Sequence, residues 1–322
     1  MLNLAWILKV TASSWNTEEL DRLDLMVPAM VLLSTSTDFD TALEAVTGFK
    51  NVALVKSVGI TRRVLELGGT GAIVALLTRT LDSDWTVPNK RSIIQQAMMA
   101  LLLLTVFGDV QCVFKAGISA LLPQLLASSD DPTFIGIMST LANLVFLGTE
   151  SQVLEVLTPN TLVAVTARVI GTQRRRRQAV RSNCVHVLSM AATNGCHTNS
   201  HAIMAALYAG GLVRSTVAML NADYRAQDGM SACSALEGVL LFERRNPETS
   251  PGFRAALDAL VDADGGEFPG AVTSAAERDS AVEALVTKFS LLMSHNDGEL
   301  PKPTTISFAV PTDSDLSLPR AE

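Results

Sequence analysis

The chain is built from apolar stretches that have the spacing of a buried helix face, separated by short polar turns. The clearest block runs from Asp109 to Gly148. In it, a short apolar start at 110–114 is followed by a longer stretch at 115–126 and, after the turn Asp130-Asp131-Pro132, by a third stretch at 134–146. Aspartate is a favoured cap and proline suits the first turn of a helix, so this turn predicts where the third helix begins. The block therefore predicts three consecutive helices.

The same order of stretches recurs on both sides of that block. Gly71 precedes Gly117 by 46 residues, and Gly211 follows Gly117 by 94 residues, or two steps of 47. One such unit cannot bury its own apolar faces, whereas stacked units share a continuous core. We therefore expect an all-α solenoid without a sheet from about residue 15 to residue 293. Six pairs of apolar stretches support this expectation: 25–33 with 41–55, 71–77 with 92–106, 115–126 with 134–146, 161–170 with 178–192, 210–213 with 229–241, and 253–261 with 278–293.

The central block resembles the armadillo repeat. Lys115-Ala116-Gly117-Ile118 is followed by Leu121-Leu122-Pro123-Gln124-Leu125-Leu126, and the third stretch carries Leu141-Ala142-Asn143-Leu144. In armadillo repeats a glycine opens the second helix, and the third helix ends in a Leu-Ser-Asn-Leu-like segment. The resemblance implies a right-handed superhelix of about six armadillo-like repeats. It also implies a concave groove, lined by the third helices, that binds a protein partner.

The motif asparagine of the family holds the backbone of a bound peptide. Asn143 and Asn51 occupy the corresponding position in this chain. Groove-binding members of the family have a tryptophan four residues before the asparagine, and this chain has Ser139 and Thr47 there. The other units have no asparagine at the corresponding place, where they carry Leu103, Met190, Gly238 and Leu291. These departures count against a groove of the nuclear-import type and leave a peptide, a helix or a folded domain as the partner.

Helical geometry brings positions i and i+4 onto one face, so Ser139 and Asn143 should share an orientation. We expect both to point into solvent on the concave side, with Leu141 and Leu144 in the core. The alternative for Asn143 and Asn51 is a helix cap or a solvated side chain. The candidate partner-binding residues are Asn143, Ser139, Asn51, Thr47, Gln96, His186 and Ser234.

Composition and charge narrow the range of partners. The chain has 48% hydrophobic but only 5% aromatic residues, which favours helices packed on helices. Its formal net charge of −7 gives no general attraction to nucleic acid or to anionic membranes. The longest uncharged apolar stretch, Ala97–Phe107, is about half of the ~20 residues needed to span a bilayer. We therefore expect a protein partner, no nucleic acid and no membrane insertion, and a small-molecule ligand is disfavoured.

Cysteines and histidines cluster once, at Cys184, His186, Cys196, His197 and His201. Zinc needs four converging ligands, but residues two apart on a helix, such as Cys184 and His186, face away from each other. A Cys/His nucleophile pair would need a third orienting group, which does not recur nearby in the sequence. We expect no metal, no cofactor and no catalytic residue. The chain's 4 cysteines are too few for a disulfide framework, which favours the cytoplasm or the nucleus.

The one dense run of like charge is Arg174-Arg175-Arg176-Arg177, with Arg168 and Arg181 around it. It falls in a predicted turn, where it is either a solvated, mutually repelling loop or a contact for an acidic partner, a phosphate or a nuclear-import receptor.

We predict three segments: a partial or capping helix at 1–14, an armadillo-like repeat domain at 15–295, and a disordered tail at 296–322, where prolines and Ser/Asp residues concentrate. Leu2-Asn3-Leu4-Ala5 resembles the end of a third helix, which suggests that the chain starts inside a repeat or that this end is covered by a partner or a second copy. The expected function is a non-catalytic protein-binding scaffold or adaptor. The alternative is a helical-repeat regulatory subunit or an enzyme with a small active-site pocket.

Overall fold

The computed structural model describes residues 20–55, 57–107, 109–128, 130–171, 178–220 and 226–246. Every element in these ranges is a helix, and none is a strand. The fourteen helices are α1 (Leu20–Ser34), α2 (Phe39–Leu54), α3 (Val58–Glu66), α4 (Gly69–Asp82), α5 (Val87–Phe107), α6 (Val110–Lys115), α7 (Ile118–Ser128), α8 (Asp131–Leu147), α9 (Glu150–Val156), α10 (Pro159–Gly171), α11 (Gln178–His197), α12 (His201–Ala209), α13 (Leu212–Leu220) and α14 (Ala226–Arg245).

The helices group into units of three, each with a short first helix, a second helix and a long third helix. Unit 1 contributes α1 and α2, and units 2 to 5 contribute α3–α5, α6–α8, α9–α11 and α12–α14. The third helices α2, α5, α8, α11 and α14 pack side by side in one layer, and the second helices α1, α4, α7, α10 and α13 lie behind them. The structure thus confirms the prediction of stacked helical units within the described residues.

Caps explain why the third helices begin where they do. The backbone N–H of Thr133 donates to the Asp130 carboxylate at 3.1 Å, and Pro132 occupies the first turn of α8. The backbone N–H of Thr41 donates to Asp38 in the same way at 2.9 Å, ahead of α2. Such bonds satisfy amide groups that have no partner inside the helix. The predicted start of α8 at the aspartate-proline turn is confirmed.

A left-handed glycine separates the first from the second helix in three of the units. Gly68, Gly117 and Gly211 have φ angles of +82°, +88° and +83°. A side chain at such a φ clashes with the backbone, so glycine is the residue that makes this tight turn at little cost. In unit 2 the turn is made by Gly68, while Gly71, the glycine that marks the repeat in the sequence, lies inside α4.

The apolar residues of all units join into one hydrophobic core that runs from Leu23 in α1 to Phe242 in α14. Leu141 and Leu144 are completely buried in it, as predicted. Hydrophobic burial of this kind contributes roughly 1.5–3 kcal/mol for a large side chain, and no single unit could supply it alone.

Several predictions lie outside the described residues: the helix at 1–14, the apolar pair 253–261 with 278–293, the tail at 296–322 and the run Arg174–Arg177.

Among the residues that the structure describes, no single helix is both long and apolar enough to cross a membrane. Two pairs of consecutive helices reach the required length and hydropathy only when the two helices of a pair are taken together, and each pair is sharply bent at the break between its helices. Val58–Glu66 with Gly69–Asp82 is bent by 63°, and Glu150–Val156 with Pro159–Ile170 by 65°.

Candidate functional site

Four successive third helices each leave one stripe of side chains uncovered. On α2, α5, α8 and α11 these side chains recur every three or four residues, so they share the side of the helix that faces away from the second-helix layer. We call this surface the inner face. Its half-buried and exposed side chains are Leu43, Glu44, Thr47, Lys50, Asn51 and Leu54 on α2, Gln95, Gln96, Met99 and Val106 on α5, Ile135, Ser139, Asn143 and Phe146 on α8, and Ser182, Asn183 and His186 on α11.

Asn143 lies on the inner face but is tied to the neighbouring unit. Its Nδ2 donates a hydrogen bond of 2.9 Å to the Oγ1 of Thr105 on α5. The Thr105 hydroxyl is itself buried and donates to the backbone oxygen of Leu102 at 2.7 Å. The Asn143 amide therefore links two third helices.

Ser139 makes a similar link on the other side of α8. Its Oγ lies 3.0 Å from the backbone oxygen of Ile135 and 3.0 Å from the Oδ1 of Asn183 on α11. Ser139 and Asn143 thus lie on the predicted face, where both are half-buried and each is hydrogen-bonded to a neighbouring third helix. Adjacent third helices pack so closely that polar side chains at the edge of a stripe reach the next helix.

A third link was not predicted from the sequence. The Nδ2 of Asn194, a buried residue near the end of α11, donates to the backbone oxygens of Phe146 at 2.9 Å and Gly148 at 3.0 Å. The last carbonyl groups of a helix have no partner within it, so this side chain satisfies the end of α8. Asn194 does not occupy the position of the family's motif asparagine. The one signal for this contact in the sequence is that Asn194 follows Phe146 by about one repeat length.

The remaining candidates on α2, α5 and α11 also lie on the inner face. Thr47, Asn51, Gln96 and His186 are all half-buried there. The Thr47 hydroxyl donates to the backbone oxygen of Leu43 at 2.7 Å, within its own helix. The Oε1 atom of Gln96 is buried, and no group among the described residues donates a hydrogen bond to it.

His186 is uncharged at neutral pH. Part of the residue reaches solvent, but its Nδ1 is buried, and burial lowers the pKa of the imidazole to about 4. Burial disfavours the charged form of a histidine. His186 therefore adds no positive charge to the inner face.

Ser234 is not on the open surface. It is only 4% exposed, and the side chains from 231 to 239 on α14 are all buried. Helix α14 lies so close to α11 that a Cβ added at Gly238 would be 3.1 Å from the backbone oxygen of Ala192. Ser234 is therefore part of the core and not of the open surface, which among the described residues ends at α11.

Three of the cysteines lie in the core. Cys184, Cys196 and Cys233 are buried, and burial raises the pKa of Cys184 and of Cys233 to about 12. Within the described ranges, no three His, Cys, Asp or Glu side chains come together as a metal site would require.

Arginines that flank the Arg174–Arg177 run are held by packing. The guanidinium of Arg168 stacks 3.8 Å from the centre of the Phe134 ring and lies 3.7 Å from the Asp131 carboxylate. Arg181 is 6% exposed. These two arginines are therefore part of the fold; the run between them lies outside the described residues.

The arrangement of the third helices is similar to that of designed armadillo repeat proteins. The designed protein YIII(Dq)4CqI matches with a TM-score of 0.59 and 17% sequence identity, over 74% of this chain and 92% of that chain. The chain has the armadillo-repeat fold. In the armadillo fold the third helices line the concave side of the superhelix.

Two further structures with the armadillo fold are similar to this chain. The designed armadillo repeat protein YIII(Dq.V1)4CPAF in complex with the peptide (KR)4 matches with a TM-score of 0.58 and 18% identity, over 74% of this chain and 91% of that chain. Computationally designed armadillo repeat proteins for modular peptide recognition match with a TM-score of 0.58 and 18% identity, over 73% and 91%. No family model and no curated protein matches the sequence.

Proposed function

We propose that this protein is a non-catalytic interaction scaffold or adaptor that binds a protein partner on its inner face. The observation that carries the proposal is the uncovered stripe on α2, α5, α8 and α11. Because these helices stack side by side, their stripes join into one extended surface. A surface of this shape suits a peptide, a helix or a folded domain better than a small molecule.

The similar structures support a protein partner. One of them is a complex with a peptide, and another was designed for modular peptide recognition. Both share the armadillo fold, in which the concave side is the surface formed by third helices. The same side is left open here across units 1 to 4.

The ionisable groups near the inner face support a role without catalysis. A cysteine acts as a nucleophile through its thiolate, and burial raises the thiol pKa of Cys184 and Cys233 to about 12. A general base works best with a pKa near the working pH, and burial lowers that of His186 to about 4. The alternative function is an enzyme or regulatory subunit with a small pocket. For that function the pKa values of these groups would have to be shifted towards neutral pH.

We place the protein in the cytoplasm or the nucleus. All four cysteines, Cys112, Cys184, Cys196 and Cys233, are free thiols, which suits a reducing compartment.

Site-specific photo-crosslinking tests the proposed function. One variant carries a photoreactive amino acid in place of Gln95 on the inner face, and the matched control carries it in place of the exposed Thr78 on α4, in the second-helix layer. Both full-length proteins are irradiated in cells, purified, and analysed by mass spectrometry. We expect a partner protein cross-linked through position 95 and absent from position 78. Equal cross-linking at the two positions, or none at 95, would contradict the proposal.

A further inference from the structure

Charged side chains are missing from the central part of the inner face, among the described residues of units 2 to 4. Asp130 and Asp131, where α8 begins, pair with Arg91 at 3.5 Å and with Arg168 of α10 at 3.7 Å. In unit 1, outside this central part, α2 carries the half-buried Glu44 and Lys50. The central part consists of Gln95, Gln96, Met99, Val106, Ile135, Ser139, Asn143, Phe146, Ser182, Asn183 and His186. None of these carries a charge at neutral pH, since His186 is held in its neutral form.

This surface would receive a charged segment poorly. A lysine, arginine, aspartate or glutamate that loses its water against an apolar surface costs several kcal/mol unless an opposite charge or hydrogen bonds compensate it. Among the described residues of the central part, neither a carboxylate nor a cationic side chain is present to do so. The chain's net charge of −7 attracts basic molecules only at long range, and that attraction is screened by salt.

The same surface offers contacts to apolar side chains and to a peptide backbone. Met99, Ile135 and Phe146 are half-buried, and Val106 is 37% exposed. Methionine and aromatic side chains are frequent at the centres of protein interfaces. Between them, the side chain of Gln95 is half-buried, and its amide group can both donate to and accept from the backbone of a bound segment.

We propose that the inner face of units 2 to 4 selects uncharged protein segments rich in apolar side chains, unlike the designed relative that is in complex with (KR)4. The apolar side chains of the segment rest on Met99, Val106, Ile135 and Phe146, and its backbone bonds to the amide of Gln95. This inference rests on the proposed function, because it concerns the partner of the same surface.

Selection from a random dodecapeptide library displayed on phage tests the chemistry of the segment. The full-length protein is the bait, and a variant with Met99→Glu and Ile135→Glu is selected in parallel. We expect the protein to enrich peptides of near-zero net charge with several apolar residues, and the variant to enrich lysine and arginine. Enrichment of basic or acidic peptides by the unchanged protein would overturn the inference.

Direct binding measurements provide the quantitative test. Fluorescence polarisation is measured with labelled (KR)4 and with the best uncharged peptide from the selection. We expect the unchanged protein to bind the uncharged peptide at least about tenfold tighter, with a Kd that changes less than about twofold between low and high salt. Tighter binding of (KR)4 by the unchanged protein would again overturn the inference.

A matched control separates a local effect from a change in net charge. Ala75→Glu with Thr78→Glu adds the same two charges at exposed positions of α4, in the second-helix layer. We expect (KR)4 to gain affinity for the inner-face variant only, and circular dichroism to show that both variants fold. An equal gain in the two variants would overturn the inference. Cross-linking at position 95 without an enriched uncharged peptide would overturn it but leave the proposed function intact, whereas loss of that cross-link would contradict the function itself.

Discussion

The side chains of Asn143 and Thr105, which are 38 residues apart in the chain, are joined by a hydrogen bond of 2.9 Å from Nδ2 to Oγ1. The bond connects α8 to α5, and the threonine hydroxyl that receives it is fully buried. A polar link of this kind ties two stacked units together at one position, in addition to their apolar packing.

A double-mutant cycle tests this link. Asn143→Ala removes the donor and Thr105→Val removes the acceptor, and each should lower the free energy of unfolding by about 1–2 kcal/mol. Because both remove the same bond, we expect a coupling energy of about 0.5–1.5 kcal/mol from urea denaturation of the two single variants and the double variant. Strict additivity would show that the two side chains do not interact in solution.

Asn194 should be more sensitive to substitution than a half-buried asparagine on the same helix. Asn194→Asp removes both hydrogens that bond to the backbone oxygens of Phe146 and Gly148 and places a negative charge beside those oxygens. We expect a loss of about 2–4 kcal/mol in the free energy of unfolding. Asn183→Asp is the control, because it keeps the acceptor for Ser139 and loses only an exposed bond to Ala179. Similar losses in the two variants would contradict the role given to Asn194.

Two glycines of the repeat should respond to alanine in opposite ways. At both Gly117 and Gly71 an added Cβ would meet no atom within 4 Å. Gly117 has a φ of +88°, so Gly117→Ala should destabilise the fold by about 1–2 kcal/mol through backbone strain alone. Gly71 lies inside α4, where alanine is the better helix former, so Gly71→Ala should stabilise by about 0.5–1 kcal/mol. Thermal denaturation of both variants checks the two signs, and a stabilised Gly117→Ala protein would contradict the prediction.

The stability of the protein should fall as the pH is lowered through the range in which His186 becomes protonated. Burial lowers the pKa of His186 from the ordinary 6.5 to about 4 in the folded protein. Between these values the unfolded chain binds one more proton than the folded one, so protons favour unfolding there. The contribution is fully present above pH 6.5 and is lost towards pH 4, with a slope of up to about 1.4 kcal/mol per pH unit.

Urea denaturation between pH 7 and pH 4 measures this dependence. In His186→Gln, the change in the free energy of unfolding between pH 7 and pH 4 should be smaller by about 1–3 kcal/mol, since glutamine does not titrate. The control variant carries the same substitution at His197, which is exposed. An unchanged pH profile in His186→Gln would show that this group does not carry the effect.

The helices, their breaks and the core residues could be predicted from the sequence, because each depends on local chemistry. The aspartate-proline turn at Asp130 marked the start of α8, and the apolar spacing put Leu141 and Leu144 in the core, as the structure confirms. The recurrence of the apolar stretches indicated the stacked units, although the turn glycine of unit 2 is Gly68 and not the Gly71 from which the period was measured. Resemblance to the armadillo repeat placed Thr47, Asn51, Gln96, Ser139, Asn143 and His186 on one face, and they lie on the inner face.

What each polar residue does on that face was decided only by the tertiary structure. Asn143 and Ser139 are bound by Thr105 and Asn183, which lie about one repeat away in the chain. Ser234 occupies a third-helix position of the same kind yet is buried. Such outcomes depend on the distance between helices of different units, and helical periodicity within one unit carries no information about that distance.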